Sequence, residues 1–193
     1  PIEKTGFDGN LWKWEYPNYN KSYMISADVA RGDSTDYSAC HVIDIESATQ
    51  VAEYKGKLDT KDFGNFLVSL ATEYNNALLV IENANIGWAV LQQVIDRGYQ
   101  NTFYMSKDLK YVDTGNQHTN KYRAEDRGLT AGFSTTSKTR PLIISKLEQY
   151  IREKSVTIRS TRTVDELFTF IWNGNRAESM RGYNDDLTMS LAI

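Results

Sequence analysis

The sequence predicts an α/β fold in which a mixed β-sheet is flanked by helices, and three observations carry that prediction. Short β-rich runs at residues 23–28, 39–45 and 50–54 follow one another closely, as in an antiparallel meander with short connections. Helical spacing follows at 60–74, where Phe63, Phe66, Leu67, Leu70 and Ala71 recur on one face behind a possible cap at Asp59 or Thr60. The continuous apolar run 77–81 then stops at Glu82, the pattern of a central strand buried on both faces.

The remaining elements follow in order. Residues 1–21 hold Gly6, Gly9, Pro17 and the aromatics Trp12, Trp14, Tyr16 and Tyr19 without helical or strand period, and are expected to form an arm or linker ahead of a domain at 22–193. After Glu82 the pattern predicts a helix at 87–97 closed by Gly98, and a short strand at 102–105. Residues 107–139 are polar and poorly periodic, a loop with room for a small hairpin. A helix at 141–153 starts with Pro141, whose missing N–H costs nothing in a first turn. A short strand at 156–159, a helix at 164–170 and a last helix from 185 complete the reading. Trp88, Trp172 and the strand residue His41 are expected in the core; of the two imidazoles that could serve as general bases, His41 reads as a core residue and His118 as a loop residue with nothing nearby to recommend it. The opening without Met and the end inside an apolar helix give the expectation of a piece cut from a longer chain.

Composition narrows the class. At 193 residues with 40% hydrophobic content, four Trp and twelve Tyr, one sizeable core is affordable. The single cysteine, Cys40, can form neither an internal disulfide nor a thiolate zinc cluster, which fits a reducing compartment. No apolar run approaches the ~18 residues of a membrane span, and the N-terminus lacks a signal-peptide pattern, so no membrane partner and no export are expected. Residues 1–100 carry 8 Lys+Arg and 14 Asp+Glu, whereas 101–193 carry 14 and 11. Early acids and late bases suit a protein that holds cations at one place and phosphates at another.

The acids concentrate the chemical interest. Ligands collect at the carboxyl ends of parallel strands, and Asp28 and Glu82 both end strongly apolar runs. A buried carboxylate there needs a partner. The third element is 183–189, where Asn184, Asp185 and Asp186 precede an apolar helical run; one acid suffices for capping, and two are more than that task requires. Should this helix pack beside the first and fourth strands, three carboxylates converge. Oxygen donors without a Cys or His cluster are the hard set for Mg²⁺ or Mn²⁺, and two such ions serve in-line phosphoryl displacement.

Several of these segments resemble the nuclease domain of the large terminase subunit, the DNA-packaging motor of tailed bacteriophages, in particular the T-even-like group. The likeness rests on Ser26-Ala27-Asp28-Val29-Ala30-Arg31-Gly32 with Asp36-Tyr37-Ser38-Ala39, on Leu79-Val80-Ile81-Glu82-Asn83, and on Tyr183 through Ala192, with Gly132-Phe133-Ser134-Thr135 leading to Thr139-Arg140-Pro141. It spans about residues 23–193. The resemblance implies a ribonuclease-H-like fold and catalytic acids at Asp28, Glu82 and Asp186, with Asp28, Glu82, Asp185 and Asp186 as the metal set. Many relatives have His where this chain has Asn184, so a role for that His is not carried over. It further implies an endonuclease of low sequence specificity that cuts concatemeric viral DNA in the host cytoplasm, at the procapsid portal. The implied partners are double-stranded DNA, the portal protein, the small terminase subunit and an N-terminal packaging ATPase domain, whose Gly-x-x-x-x-Gly-Lys-Ser/Thr loop does not occur in this sequence.

Phosphate contacts are expected from Arg31, Lys121, Arg123, Arg127, Lys138 and Arg140. Competing readings are a resolvase-like nuclease of the same fold, a DNA-gripping or portal-docking module that does not cut in isolation, and an actin-like nucleotide-binding protein. The last needs glycine-rich phosphate loops, and Gly32 and Gly87 stand alone.

Overall fold

The computed structural model describes residues 1–31, 36–106, 128–174 and 176–193, excluding the Phe7 side chain. Its sheet is made of β1 (Glu3–Thr5), β2 (Leu11–Lys13), β3 (Tyr23–Asp28), β4 (Ser38–Asp44), β5 (Thr49–Gly56) and β6 (Leu78–Ile81). Their order is β1-β2-β5-β4-β3-β6, with β3 and β6 parallel and all other pairs antiparallel. The meander 3-4-5 is antiparallel because its connections are too short to cross over. β6 arrives parallel beside β3 because α1 (Thr60–Glu73) carries the chain back along the sheet.

Alternation along β3 and β6 divides the molecule into layers. Ile25, Ala27, Leu79 and Ile81 pack with Phe63 and Leu67 of α1 and with Val90 and Leu91 of α2 (Gly87–Asp96). Met24, Leu78 and Val80 face the other way, against Phe103, Phe133, Ile143 and Ile193. That second face is covered by α3 (Thr139–Arg152), α4 (Thr161–Thr169) and α5 (Asp186–Ala192), α5 packing on β3 and β4. Each fully buried Leu, Ile or Phe contributes roughly 1.5–3 kcal/mol, so both faces of β3 and β6 are anchored. Asp28 and Glu82 carry even numbers and therefore share the α5 face.

The outer edge of β6 is capped by backbone from elsewhere. Leu79 N–H donates to the Asn101 carbonyl at 2.9 Å, Phe103 N–H to Leu79 at 2.8 Å and Phe133 N–H to Ile81 at 2.8 Å. These contacts leave little of the edge unpaired. Gly132 makes the approach possible: its φ is +77°, and a Cβ there would stand 2.4 Å from the Ile81 carbonyl oxygen. β7 (Tyr104–Ser106), in the region of the strand expected at 102–105, pairs antiparallel with β8 (Leu129–Ala131), and β9 (Phe170–Asn173) pairs antiparallel with β10 (Arg176–Ser179); residues 107–127 of the loop expected at 107–139 lie outside the described residues.

Four local expectations differ from the structure. Residues 3–5 and 11–13 are strands of the main sheet; three residues are too short to show a period, and β5 supplies the pairing through Leu11↔Tyr54. Residues 156–159 form no strand, only a bridge from Thr157 to Thr49, because the chain there turns to the Gln50 side chain, which accepts from Arg159 N–H and Ser160 N–H. The helix expected at 164–170 starts earlier, since Ser160 caps it by accepting from Thr163 N–H. Trp88 and Trp172 are 49% and 51% exposed: one sits on the outer side of α2 and the other on a two-stranded hairpin with no sheet above it.

Gly87 controls the approach of α2 to the end of β6, because a Cβ at that position would stand 1.9 Å from the Glu82 carbonyl oxygen. Gly87→Ala is expected to cost about 3 kcal/mol in urea unfolding, as backbone rather than a flexible side chain must give way. Gly98→Ala, whose Cβ would meet nothing within 4 Å, is expected to cost about 1 kcal/mol through its positive φ alone. Equal costs would show that the contact with Glu82 does not constrain the fold.

Candidate active site

Parallel pairing of Ala27 with Ile81, and the 2.9 Å bond from Glu82 N–H to the Ala27 carbonyl, bring Asp28 and Glu82 off adjacent strands side by side. Their carboxyl groups face each other closely enough for Glu82 to act directly on the titration of Asp28. Enclosure by protein holds the Asp28 carboxyl well above the usual carboxylate range, and the approach of Glu82, its charge and the charges of Asp186 and Asp185 push in the same direction.

The other two acids come from the start of α5. Asp186 is its first residue and is buried. Its carboxylate accepts from Asn184 Nδ2 at 3.1 Å and from the backbone N–H of Tyr37, and lies 3.5 Å from Lys55 Nζ. Burial raises its pKa more than Lys55 and these donors lower it. Asp185 is half-buried and accepts from Arg140 Nη2 at 3.0 Å. Asp28, Asp36, Asp185 and Asp186 line a polar cleft of about 300 Å³, with Tyr37 and Tyr183 among its walls. Glu82 meets this site through Asp28.

Sequence reasoning missed the groups that hold the acids in place. Register places Lys55 opposite Ala39 and Ala39 opposite Asp28, so Lys55 and Asp28 occupy one cross-strand row on the same face, separated by the smallest side chain that still has a Cβ. A Lys near the end of a strand is ordinary locally, so Lys55 gave no signal of its own. Glu166, in the middle of α4, accepts from Leu187 N–H at 2.8 Å and Thr188 N–H at 3.0 Å and is ion-paired with Lys55. It had no local signal, because its partners are over twenty residues away.

His41 is the core residue the strand pattern predicts. It is fully buried; its Nε2 is 2.9 Å from the Leu187 carbonyl, and Gln50 Nε2 is 2.8 Å from its Nδ1. The amide donates to Nδ1, so Nε2 carries the proton and the ring is neutral; burial holds its pKa down. Such a ring has no free nitrogen for proton transfer. Of the predicted phosphate contacts, Arg31 and Lys138 are exposed and Arg140 is engaged with Asp185 and the Ala177 carbonyl, while Lys121, Arg123 and Arg127, like His118, lie outside the described residues.

The donor set consists of oxygens alone, which fits a hard divalent cation and not zinc. Among the described residues no three acidic, His or Cys side chains already converge on one point as ligands do. Lys55 is paired with Asp186 and Arg140 with Asp185, charges that a cation would otherwise neutralise.

Since the Asp28 carboxyl is raised above its unfolded value of about 3.9, the folded state binds that proton more tightly, and stability falls as pH climbs from about 4 through the folded pKa. Asp28→Asn removes this loss. In EDTA the variant is expected to melt about 2–4 °C higher than the parent at pH 8, the response of a chain this size to roughly 1 kcal/mol, with little difference at pH 4. A lower melting temperature at pH 8 would show that the Asp28 charge is already compensated.

No protein-family model matches the chain. Among solved structures it is similar to the large terminase nuclease from the thermophilic phage G20c with bound magnesium, at a TM-score of 0.72 and 18% identity over 98% of this chain and 88% of that one. The same nuclease with bound cobalt gives 0.71 at 18% identity with the same coverage. The large terminase nuclease domain of Thermus phage P74-26 gives 0.69 at 20% identity, over 98% of this chain and 85% of that one. At such identities the likeness establishes architecture: the chain has the ribonuclease-H-like fold, a mixed sheet flanked by helices, that these nucleases share.

Proposed function

We propose that the chain is the metal-dependent nuclease domain of a phage large terminase, cutting concatemeric DNA with little sequence preference to start and end packaging. The observation that carries the proposal is the placement of Asp28 and Glu82 on adjacent parallel strand ends, facing Asp186 from the start of α5. Several carboxylates held against their own repulsion in one cleft are poised for a cation. The fold likeness to nucleases with magnesium or cobalt bound supports the same reading. The finer assignment to the T-even-like group rests on the sequence motifs.

When bound, two Mg²⁺ or Mn²⁺ ions supply activation of the attacking water and stabilisation of the leaving oxygen. Asp28, Glu82 and Asp186 would hold them, with Asp185, paired with Arg140 in this structure, as a further ligand. Asp186 is favoured over Asp185 because it is buried beside Lys55 in the Asp28 row, whereas Asp185 is held by a guanidinium. Arg31, Lys138 and Arg140 contact DNA phosphates, together with Lys121, Arg123 and Arg127. Phosphate contacts of this kind position the duplex without reading its bases, in keeping with low specificity. No helix among the described residues is long and apolar enough to cross a membrane. The setting is the host cytoplasm at the procapsid portal, with an N-terminal ATPase domain, the portal protein and the small terminase subunit as partners.

One observation favours a second reading, a DNA-gripping or portal-docking module that does not cut in isolation: among the described residues the acids are not already gathered around one point. Nicking of a supercoiled plasmid in Mg²⁺, Mn²⁺ or EDTA separates the two. The nuclease reading expects cleavage with either ion and none in EDTA. Asp28→Asn, Glu82→Gln and Asp186→Asn should each slow it about a hundredfold or more, the scale of several kcal/mol of lost transition-state stabilisation, and Asp185→Asn should slow it less. A folded domain that binds the plasmid and never cuts it would establish the docking module.

A further inference from the structure

Among the described residues, Lys55 is the one basic side chain that the sheet itself, rather than a helix, directs at the acidic cleft, and its ammonium has two carboxylates to choose from. It is closely ion-paired with Glu166 Oε1 and lies 3.5 Å from Asp186 Oδ2. The other Glu166 oxygen accepts the N–H groups of Leu187 and Thr188, the first-turn donors directly after Asp186. Glu166 is itself buried, 8% exposed, and the Lys55 side chain is 17% exposed, so neither group is free to move into water. One carboxylate thus grips both the helix start that carries Asp186 and the cation that competes for Asp186.

We propose that Glu166 is a positioning residue of the cation site: it clamps the first turn of α5 through Leu187 and Thr188 and draws the Lys55 ammonium away from Asp186, leaving that carboxylate available to a divalent ion. The inference rests on the metal-dependent reading of the cleft. Buried backbone donors and a buried ammonium both need an acceptor, and a single carboxylate satisfies them together, whereas an amide can serve the backbone donors alone. Glu166→Gln therefore separates the two tasks. It keeps an oxygen for the helix N–H groups and removes the charge that holds Lys55, whose ammonium then passes to Asp186.

Mn²⁺ binding by calorimetry without DNA, Mn²⁺ dependence of plasmid nicking, and melting in EDTA would be measured for the parent, Glu166→Gln, Lys55→Met and the double variant. Glu166→Gln is expected to raise the half-saturating Mn²⁺ concentration about tenfold in both binding and cutting, the effect of one charge-assisted hydrogen bond from the competing ammonium to Asp186. Lys55→Met is expected to lower it about threefold, and the double variant to lie within about twofold of Lys55→Met, since the competitor is gone. A purely structural cap predicts a lower melting temperature with an unchanged Mn²⁺ midpoint, and that result overturns the proposal. So does a midpoint raised equally with and without Lys55. Should Glu166→Gln fail to fold, an unchanged midpoint in Lys55→Met overturns it on its own and a lowered one supports it. A parent that neither binds Mn²⁺ nor cuts removes the metal-dependent reading itself, whereas a parent that does both with Glu166→Gln unaffected removes only the role of Glu166.

Discussion

Like charges crowded at one end of a sheet set the terms for this molecule. The parallel pairing of β3 with β6 delivers Asp28 and Glu82 together, and the first turn of α5 adds Asp185 and Asp186 from above. In surroundings where water is partly excluded, such a group is stable only with compensation. The chain supplies it piecemeal: a raised proton affinity at Asp28, Lys55 and Asn184 beside Asp186, and Arg140 on Asp185. Each is a substitute for what one or two cations would do at once, which is why the cleft reads as a place for cations even though its acids do not yet converge.

The compensation depends on the scaffold beneath it. Ala39 between Lys55 and Asp28 keeps their row open, and below that row His41, Gln50 and Glu53 form a buried polar chain reaching the α4 start at Ser160 and Thr163. Arg162 closes it, pairing with Glu53 and stacking 3.9 Å above the Trp12 ring, which ties the N-terminal strands to the same network. Fully satisfied networks of this kind fix one arrangement, and here that arrangement sets the height of α5 above the sheet. The His41 bond to the Leu187 carbonyl and the Glu166 bonds to Leu187 and Thr188 N–H grip the same turn from two sides.

What the sequence discloses and what it conceals follow from the range of the interactions. β3, β4, β5, α1 and β6 are written in local periodicity, and so is the fact that Asp28 and Glu82 terminate buried strands, because a carboxylate after an apolar run is anomalous on its own. The acids of the last helix are equally visible as an excess over what a cap needs. Strands β1 and β2 are not, since three residues carry no period and their pairing is dictated by β5. Lys55 and Glu166 escape for a related reason: a Lys at a strand end and a Glu inside a helix are ordinary locally, and only the register of three strands and the packing of α4 against α5 bring them to Asp186. The partners of the acids, unlike the acids themselves, are a property of tertiary structure.

The most direct test of the account is the position of a divalent ion. Crystals of the chain soaked in Mn²⁺ and measured for anomalous scattering should show a peak about 2.1 Å from oxygens of Asp28 and Asp186, with Lys55 withdrawn onto Glu166. An ion found elsewhere, or a cleft in which Lys55 still bridges Asp186 at saturating Mn²⁺, would contradict it.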